Sequence, residues 1–130
     1  MAKIMVVDDE ADMRFMVRKI LENEGHEVIE AEAGKVALDK LKEVKPDLIL
    51  LDVMMPGLDG WEVCKQIREN KETENITVTM LTVKSTDEDK VTSFDDGLAD
   101  WHISKPFKKK RFVKTVKWLL ESPLERKSAP

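Results

Sequence analysis

The sequence predicts an α/β fold: a doubly wound, five-stranded parallel sheet with five helices. From Lys3 onward, short apolar, β-rich runs alternate five times with helix-like segments, and no composition shift or internal repeat interrupts the series. The runs themselves, such as Leu48-Ile49-Leu50-Leu51, are continuously apolar rather than alternating, as in strands buried on both faces.

Strands are expected at 3–7, 27–31, 47–51, 77–82 and 100–104, and helices at 11–23, 35–44, 60–69, 87–96 and 108–121. The first strand stops abruptly on Asp8 and Asp9. In the helix that follows, Met13, Met16, Val17, Ile20 and Leu21 form one stripe at ~100° per residue, with Phe15 nearly opposite its centre. Gly25 follows this helix, Gly34 opens the second, and Pro46 precedes the third strand, which stops on Asp52. Pro56-Gly57 makes a turn, and Asp59-Gly60 before an amphipathic run is an N-cap context for the third helix, where Trp61 and Cys64 read as core. In the last helix Phe112, Val113, Val116, Leu119 and Leu120 make the core stripe, and Ser122-Pro123 ends it. Residues 1–121 therefore read as one domain and 122–130 as a short polar tail, too small to be a second one.

A chain of 130 residues with 42% hydrophobic content supports a single core without disulfide or metal staples. A net charge of −4 excludes an overall electrostatic footprint for nucleic acid. One cysteine cannot form an intramolecular bridge, and there is neither a secretory signal pattern nor an apolar run of ~18 residues. A cytoplasmic chain without membrane insertion is the expectation.

The chemistry concentrates at the strand ends. Open α/β sheets bind ligands at the carboxyl edge of their strands, where Asp8, Asp9, Asp52, Thr82 and Lys105 fall. Clustered carboxylates repel one another and call for a cation, and an all-oxygen ligand set favours a hard ion such as Mg²⁺. Taken singly, a strand-end Asp is often a turn former or cap, a strand threonine is ordinary, and a lysine is usually a solvated charge. In this order and together they read as a Mg²⁺-dependent phosphoryl acceptor.

The motifs Val-Val-Asp8-Asp9-Glu10, Leu-Leu-Asp52-Val-Met-Met-Pro56-Gly-Leu-Asp59-Gly60, Leu81-Thr82 and Ser104-Lys105-Pro106-Phe107 resemble those of the receiver domain of two-component response regulators, in particular its standalone, chemotaxis-Y-like members. The likeness runs from Lys3 to Leu120. It implies a flavodoxin-like sheet in the order 2-1-3-4-5, with Asp52 as phosphoacceptor. It also implies a Mg²⁺ ion held by Asp8, Asp9, Asp52 and the carbonyl of Met54, with Thr82 and Lys105 contacting phosphoryl oxygens and a cis peptide at Pro106. The implied partners are a sensor histidine kinase or histidine phosphotransfer protein and a downstream target protein. The only implied chemistry is the chain's own phosphorylation and dephosphorylation, and the implied assembly is a monomer or a phosphorylation-dependent dimer.

The chain also departs from the family pattern. The family's switch aromatic, three residues before the lysine, is replaced by His102, preceded by Trp101, and the segment from Gly97 to Lys105 runs one residue longer, so both are switch candidates. Val83 is larger than the family's usual residue there, and Met54 is apolar where faster-cycling relatives carry a polar side chain. Both departures predict a long-lived aspartyl phosphate.

Phe15 is a docking candidate beside the acceptor, against the plainer reading of an exposed apolar residue. Lys108-Lys109-Lys110-Arg111 opens the last helix against its dipole, and Trp118 projects from the stripe as a second partner candidate. A phosphatase of the haloacid dehalogenase type would need an Asp where Met54 stands. A specific DNA-binding role would need a helix-turn-helix that the sequence does not contain. An inert docking module would not need the full acceptor set.

Overall fold

A computed structural model of the chain describes residues 1–83 and 98–121. Its elements are β1 (Lys3–Val7), α1 (Ala11–Asn23), β2 (Glu27–Ala31), α2 (Gly34–Lys40), β3 (Leu48–Asp52), α3 (Gly60–Glu69), β4 (Thr77–Val83), β5 (Trp101–Lys105) and α4 (Lys109–Glu121). The five strands are parallel in the order β2-β1-β3-β4-β5, a flavodoxin-like sheet as expected. The helix expected at 87–96 and the tail at 122–130 lie outside the described residues.

Strand alternation divides the core in two. Ile4, Val6, Leu48, Leu50, Leu81 and Ile103 point to one face and pack with Val17, Ile20 and Leu21 of α1 and Phe112, Val116 and Leu119 of α4. Met5, Val7, Ile49, Leu51, Val78 and Met80 point to the other and pack with α2 and α3, where Cys64 is buried as expected. Every central-strand residue from Leu48 to Asp52 is buried, which explains the uninterrupted apolar run.

Several boundaries move by small amounts with clear causes. β3 and β5 each start one residue later than expected, at Leu48 and Trp101, because the preceding aspartates cap rather than extend them. Asp47 accepts the Lys3 N–H through Oδ2, and Asp100 accepts the Val78 N–H through Oδ2. The second helix ends at Lys40 instead of 44: bonds from Lys42 N–H to the Asp39 carbonyl and Glu43 N–H to the Lys40 carbonyl tighten its last turn. Pro46 disfavours helical backbone at Lys45. Asp59 caps α3 as expected, accepting the Glu62 N–H at 3.0 Å.

Two side-chain placements correct the sequence reading. Met16, expected in the buried stripe of α1, is 41% exposed, because at ~100° per residue it lies at the margin of the face that Met13, Val17, Ile20 and Leu21 turn to the core. Trp118 does not project freely from α4. Its ring meets Trp101 edge-on, with centroids 5.0 Å apart and planes at 70°.

Candidate functional site

The carboxyl ends of β1, β3, β4 and β5 bring Asp8, Asp52, Thr82 and Lys105 together, with Asp9 at the rim. Asp8 and Asp52 are buried, Asp9 is exposed, and one oxygen from each of the three lies within 4.8 Å of the others. The Lys105 ammonium sits between the two buried acids, 3.1 Å from Asp8 Oδ2 and 3.3 Å from Asp52 Oδ1. The Lys105-Pro106 peptide is cis.

The strong electrostatics follow from this burial. Desolvation pushes the Asp52 carboxyl up to about 6; Lys105 pulls it back, and the charge of Asp8 adds to the rise. Burial lowers the Lys105 pKa, but the facing Asp52 and Asp8 carboxylates outweigh it, and the net shift is upward. The site therefore holds two acids on one ammonium, an excess of negative charge suited to a divalent cation.

The site geometry fits both a metal and a phosphoryl group. Three carboxylates converge, as a hard cation requires. The Thr82 hydroxyl, one residue beyond Leu81, which pairs with Asp52, is buried and has no hydrogen-bond partner among the described residues. The Met54 N–H approaches Asp52 Oδ1 at 3.4 Å, and Met54 itself is 70% exposed.

Glycine makes this packing possible. A Cβ on Gly60 would lie 2.5 Å from the Asp52 carbonyl oxygen and 2.8 Å from Val53 Cα, and the Gly60 N–H donates to the Val53 carbonyl at 2.9 Å. The start of α3 is thus pressed directly against the end of β3.

Register separates the two switch candidates. His102 pairs with Met80 and Ser104 with Thr82, so His102 lies on the Thr82 side of the sheet. Trp101 pairs with Thr79 and packs on α4 through Trp118. Among the exposed large apolar side chains near the site are Phe15 at 61%, with the Lys19 ammonium 5.5 Å from its ring centroid, and Val83 at 55%.

Sequence reasoning did not single out Arg14 and Glu30. Arg14 Nη1 donates to the Asp8 carbonyl at 2.7 Å while its Nε pairs with Glu30 Oε1 at 3.1 Å. β2 carries two glutamates, Glu27 and Glu30, so nothing in the sequence set Glu30 apart. Arg68 was also missed: it donates to the carbonyls of Leu98, Glu74 and Ile76 and pairs with Asp100 at 2.8 Å, tying α3 to the entry of β5.

Residues 4–117 match the family described as the response regulator receiver domain. The chain belongs to that family. It is 50% identical over 118 residues to the transcriptional regulatory protein ResD of Bacillus subtilis and 43% identical over 115 residues to the phosphate regulon transcriptional regulatory protein PhoB of Escherichia coli. These matches cover 91% and 88% of this chain but only 48% and 50% of those proteins, so the chain spans about half the length of the curated relatives it matches. Among solved structures, chemotaxis protein CheY4 of Vibrio cholerae is 34% identical with a TM-score of 0.83, covering 90% of this chain and 97% of that one. The signal receiver domain of a signal transduction histidine kinase from Syntrophus aciditrophicus is 32% identical with a TM-score of 0.86, covering 100% and 97%.

Receiver domains of two-component systems are phosphoacceptors, phosphorylated on aspartate, and partner with histidine kinases. Receivers of this family bind Mg²⁺ in an acidic pocket, and the Asp8, Asp9 and Asp52 cluster is consistent with one here. Among the described residues no helix is long and apolar enough to cross a membrane.

Proposed function

We propose that Asp52 is the acceptor of a phosphoryl group from the phosphohistidine of a sensor histidine kinase or histidine phosphotransfer protein. The Lys105 ammonium, ion-paired to both Asp8 and Asp52, is the observation that carries this reading. A carboxylate oxygen of Asp52 attacks phosphorus, the P–N bond breaks, and the departing imidazole takes up a proton. Lys105 follows one phosphoryl oxygen as a point charge, and the Thr82 hydroxyl donates to another. Bound Mg²⁺, which Asp8, Asp9, Asp52 and the Met54 carbonyl would hold, supplies the positive charge that offsets repulsion between carboxylate and phosphoryl group.

The acyl phosphate then biases two conformations of the β4 and β5 ends, with His102 rather than Trp101 as the switch residue, because His102 shares the Thr82 face. Phe15 lies in the kinase-docking face. The switched protein works in the cytoplasm on a target protein, or hands the phosphate onward, as a monomer or a phosphorylation-dependent dimer. It acts on no separate substrate.

Transfer from a phosphohistidine-bearing kinase tests the reading directly. Label should move to the chain in Mg²⁺ and not in EDTA, and Phe15→Ala should slow the transfer while leaving small-molecule phosphorylation unchanged. Unchanged kinase transfer in Phe15→Ala removes the docking role.

The proposal includes a receiver acting without an attached output domain. An immunoblot of the native protein at 14.9 kDa supports that reading, and a band near twice that mass removes it. The relatives named as transcriptional regulatory proteins run against the expectation that nucleic acid is not a partner. That expectation rests on the net charge of −4, and a gel shift of duplex DNA by the phosphorylated chain would overturn it.

A further inference from the structure

The β1–α1 turn carries two adjacent acids that converge with Asp52 just beyond the point where pairing of β1 with β3 ends, at Val7 and Leu51. Asp8 is nevertheless fixed at every polar atom. Its N–H donates to the Ala31 carbonyl at 3.1 Å, Oδ1 accepts the Glu10 N–H at 2.9 Å, and Oδ2 accepts from Lys105. Its carbonyl accepts from Arg14 Nη1 at 2.7 Å. Arg14 is in turn anchored through Nε to Glu30 on β2. The other oxygen of Glu30 takes Arg18 at 2.7 Å, and its carbonyl accepts from Lys40. The Arg14 side chain is only 16% exposed.

Resting on the acceptor reading above, we propose that Arg14 is a positioning residue for the divalent ion, linking Glu30 on the edge strand to the backbone of the acidic turn. Two different nitrogens of one planar guanidinium make the two bonds, a fork that a lysine ammonium on a flexible stem does not reproduce. Charge and geometry make opposite predictions here, which makes the role testable. A cation beside the acidic turn repels Mg²⁺, so if Arg14 mattered only as a charge, its removal would tighten binding. If it positions the turn, its removal weakens binding, as loss of an outer partner of a metal ligand commonly does by 10-fold or more.

The test is calorimetric titration of the full chain with MgCl₂. Arg14→Lys, which keeps the charge, and Arg14→Met, which removes it, should both raise the Kd for Mg²⁺ about 10-fold. Saturating Mg²⁺ should return the rate of phosphorylation by acetyl phosphate to the wild-type maximum. Glu30→Ala, which releases Arg14 and Arg18 without changing any residue of α1, should give a smaller rise than the Arg14 variants and keeps the test valid if those variants fail to fold. Arg18→Met removes a partner of Glu30 that does not touch Asp8 and should leave the Kd unchanged. A wild-type Kd in Arg14→Lys, tighter binding in Arg14→Met, or equal weakening in Arg18→Met overturns the inference alone. A wild-type chain that neither binds Mg²⁺ nor accepts phosphate overturns the acceptor reading and this inference with it.

Discussion

The Lys105 ammonium lies 3.3 Å from Oδ1 of Asp52, although the two residues are 53 positions apart and enter the site on different strands. This contact sets the character of the pocket. Asp52 is buried deeply enough for its carboxyl to rise to about 6, yet it remains within reach of a cation that moderates the rise. The expected acceptor is therefore a carboxylate at neutral pH at a cost in stability.

That cost gives the first prediction. A carboxyl whose folded pKa lies above its ordinary value near 3.8 favours the folded state in its protonated form. Its stabilising contribution is full below that value and is lost as pH rises through about 6. At pH ~7.5 without metal the ionised group costs the fold on the order of 2–3 kcal/mol. Asp52→Asn should therefore melt higher than the wild type in EDTA at that pH, with the gap closing toward pH ~4. Equal melting temperatures across this range would contradict the burial argument.

Thr82 provides a second. Its buried hydroxyl has no partner among the described residues, so Thr82→Val removes an unsatisfied group at nearly constant volume. Thermal unfolding of the unphosphorylated chain should shift by less than about 1 kcal/mol in either direction. Phosphorylation should still occur, but the accompanying change in amide chemical shifts on β4 and β5 should be lost.

Met54 governs lifetime in this account. Its side chain, two residues after Asp52, is exposed, and a thioether offers no strong hydrogen bond to an attacking water. The aspartyl phosphate of the wild type should persist for minutes or longer at room temperature, and Met54→Asn should shorten it about tenfold by orienting that water. Decay of the wild-type adduct within seconds would refute the lifetime argument.

Gly60 packs directly against the end of β3. A methyl group there would sit 2.5 Å from the Asp52 carbonyl oxygen, and backbone cannot give way as a flexible side chain would. Gly60→Ala should cost about 1–3 kcal/mol in denaturant unfolding and slow phosphorylation by displacing Asp52. Wild-type stability and rate would show that α3 yields instead.

The parts of the fold legible in the sequence were those with local causes. Continuous apolar runs ending on acid located β1 and β3 and, with them, Asp8, Asp9 and Asp52. Asp59 and Gly60 marked the start of α3 by capping alone. What escaped depends on contacts between distant segments. Trp118 read as a projecting side chain because Trp101, which covers it, arrives on another element. Met16 fits the helical stripe only at its margin, and whether a marginal residue is buried depends on how the helix is turned against the sheet. The Arg14–Glu30 pair joins α1 to β2 across 16 positions, and neither residue announces it.

The most direct test of the account is intact-mass analysis over time of the wild type and Asp52→Asn, each incubated with acetyl phosphate in Mg²⁺ or EDTA. The account predicts one phosphoryl adduct on the wild type that requires Mg²⁺ and is absent from Asp52→Asn. An adduct of equal yield on Asp52→Asn, or none on either protein under any condition, including with a phosphohistidine donor, would contradict it.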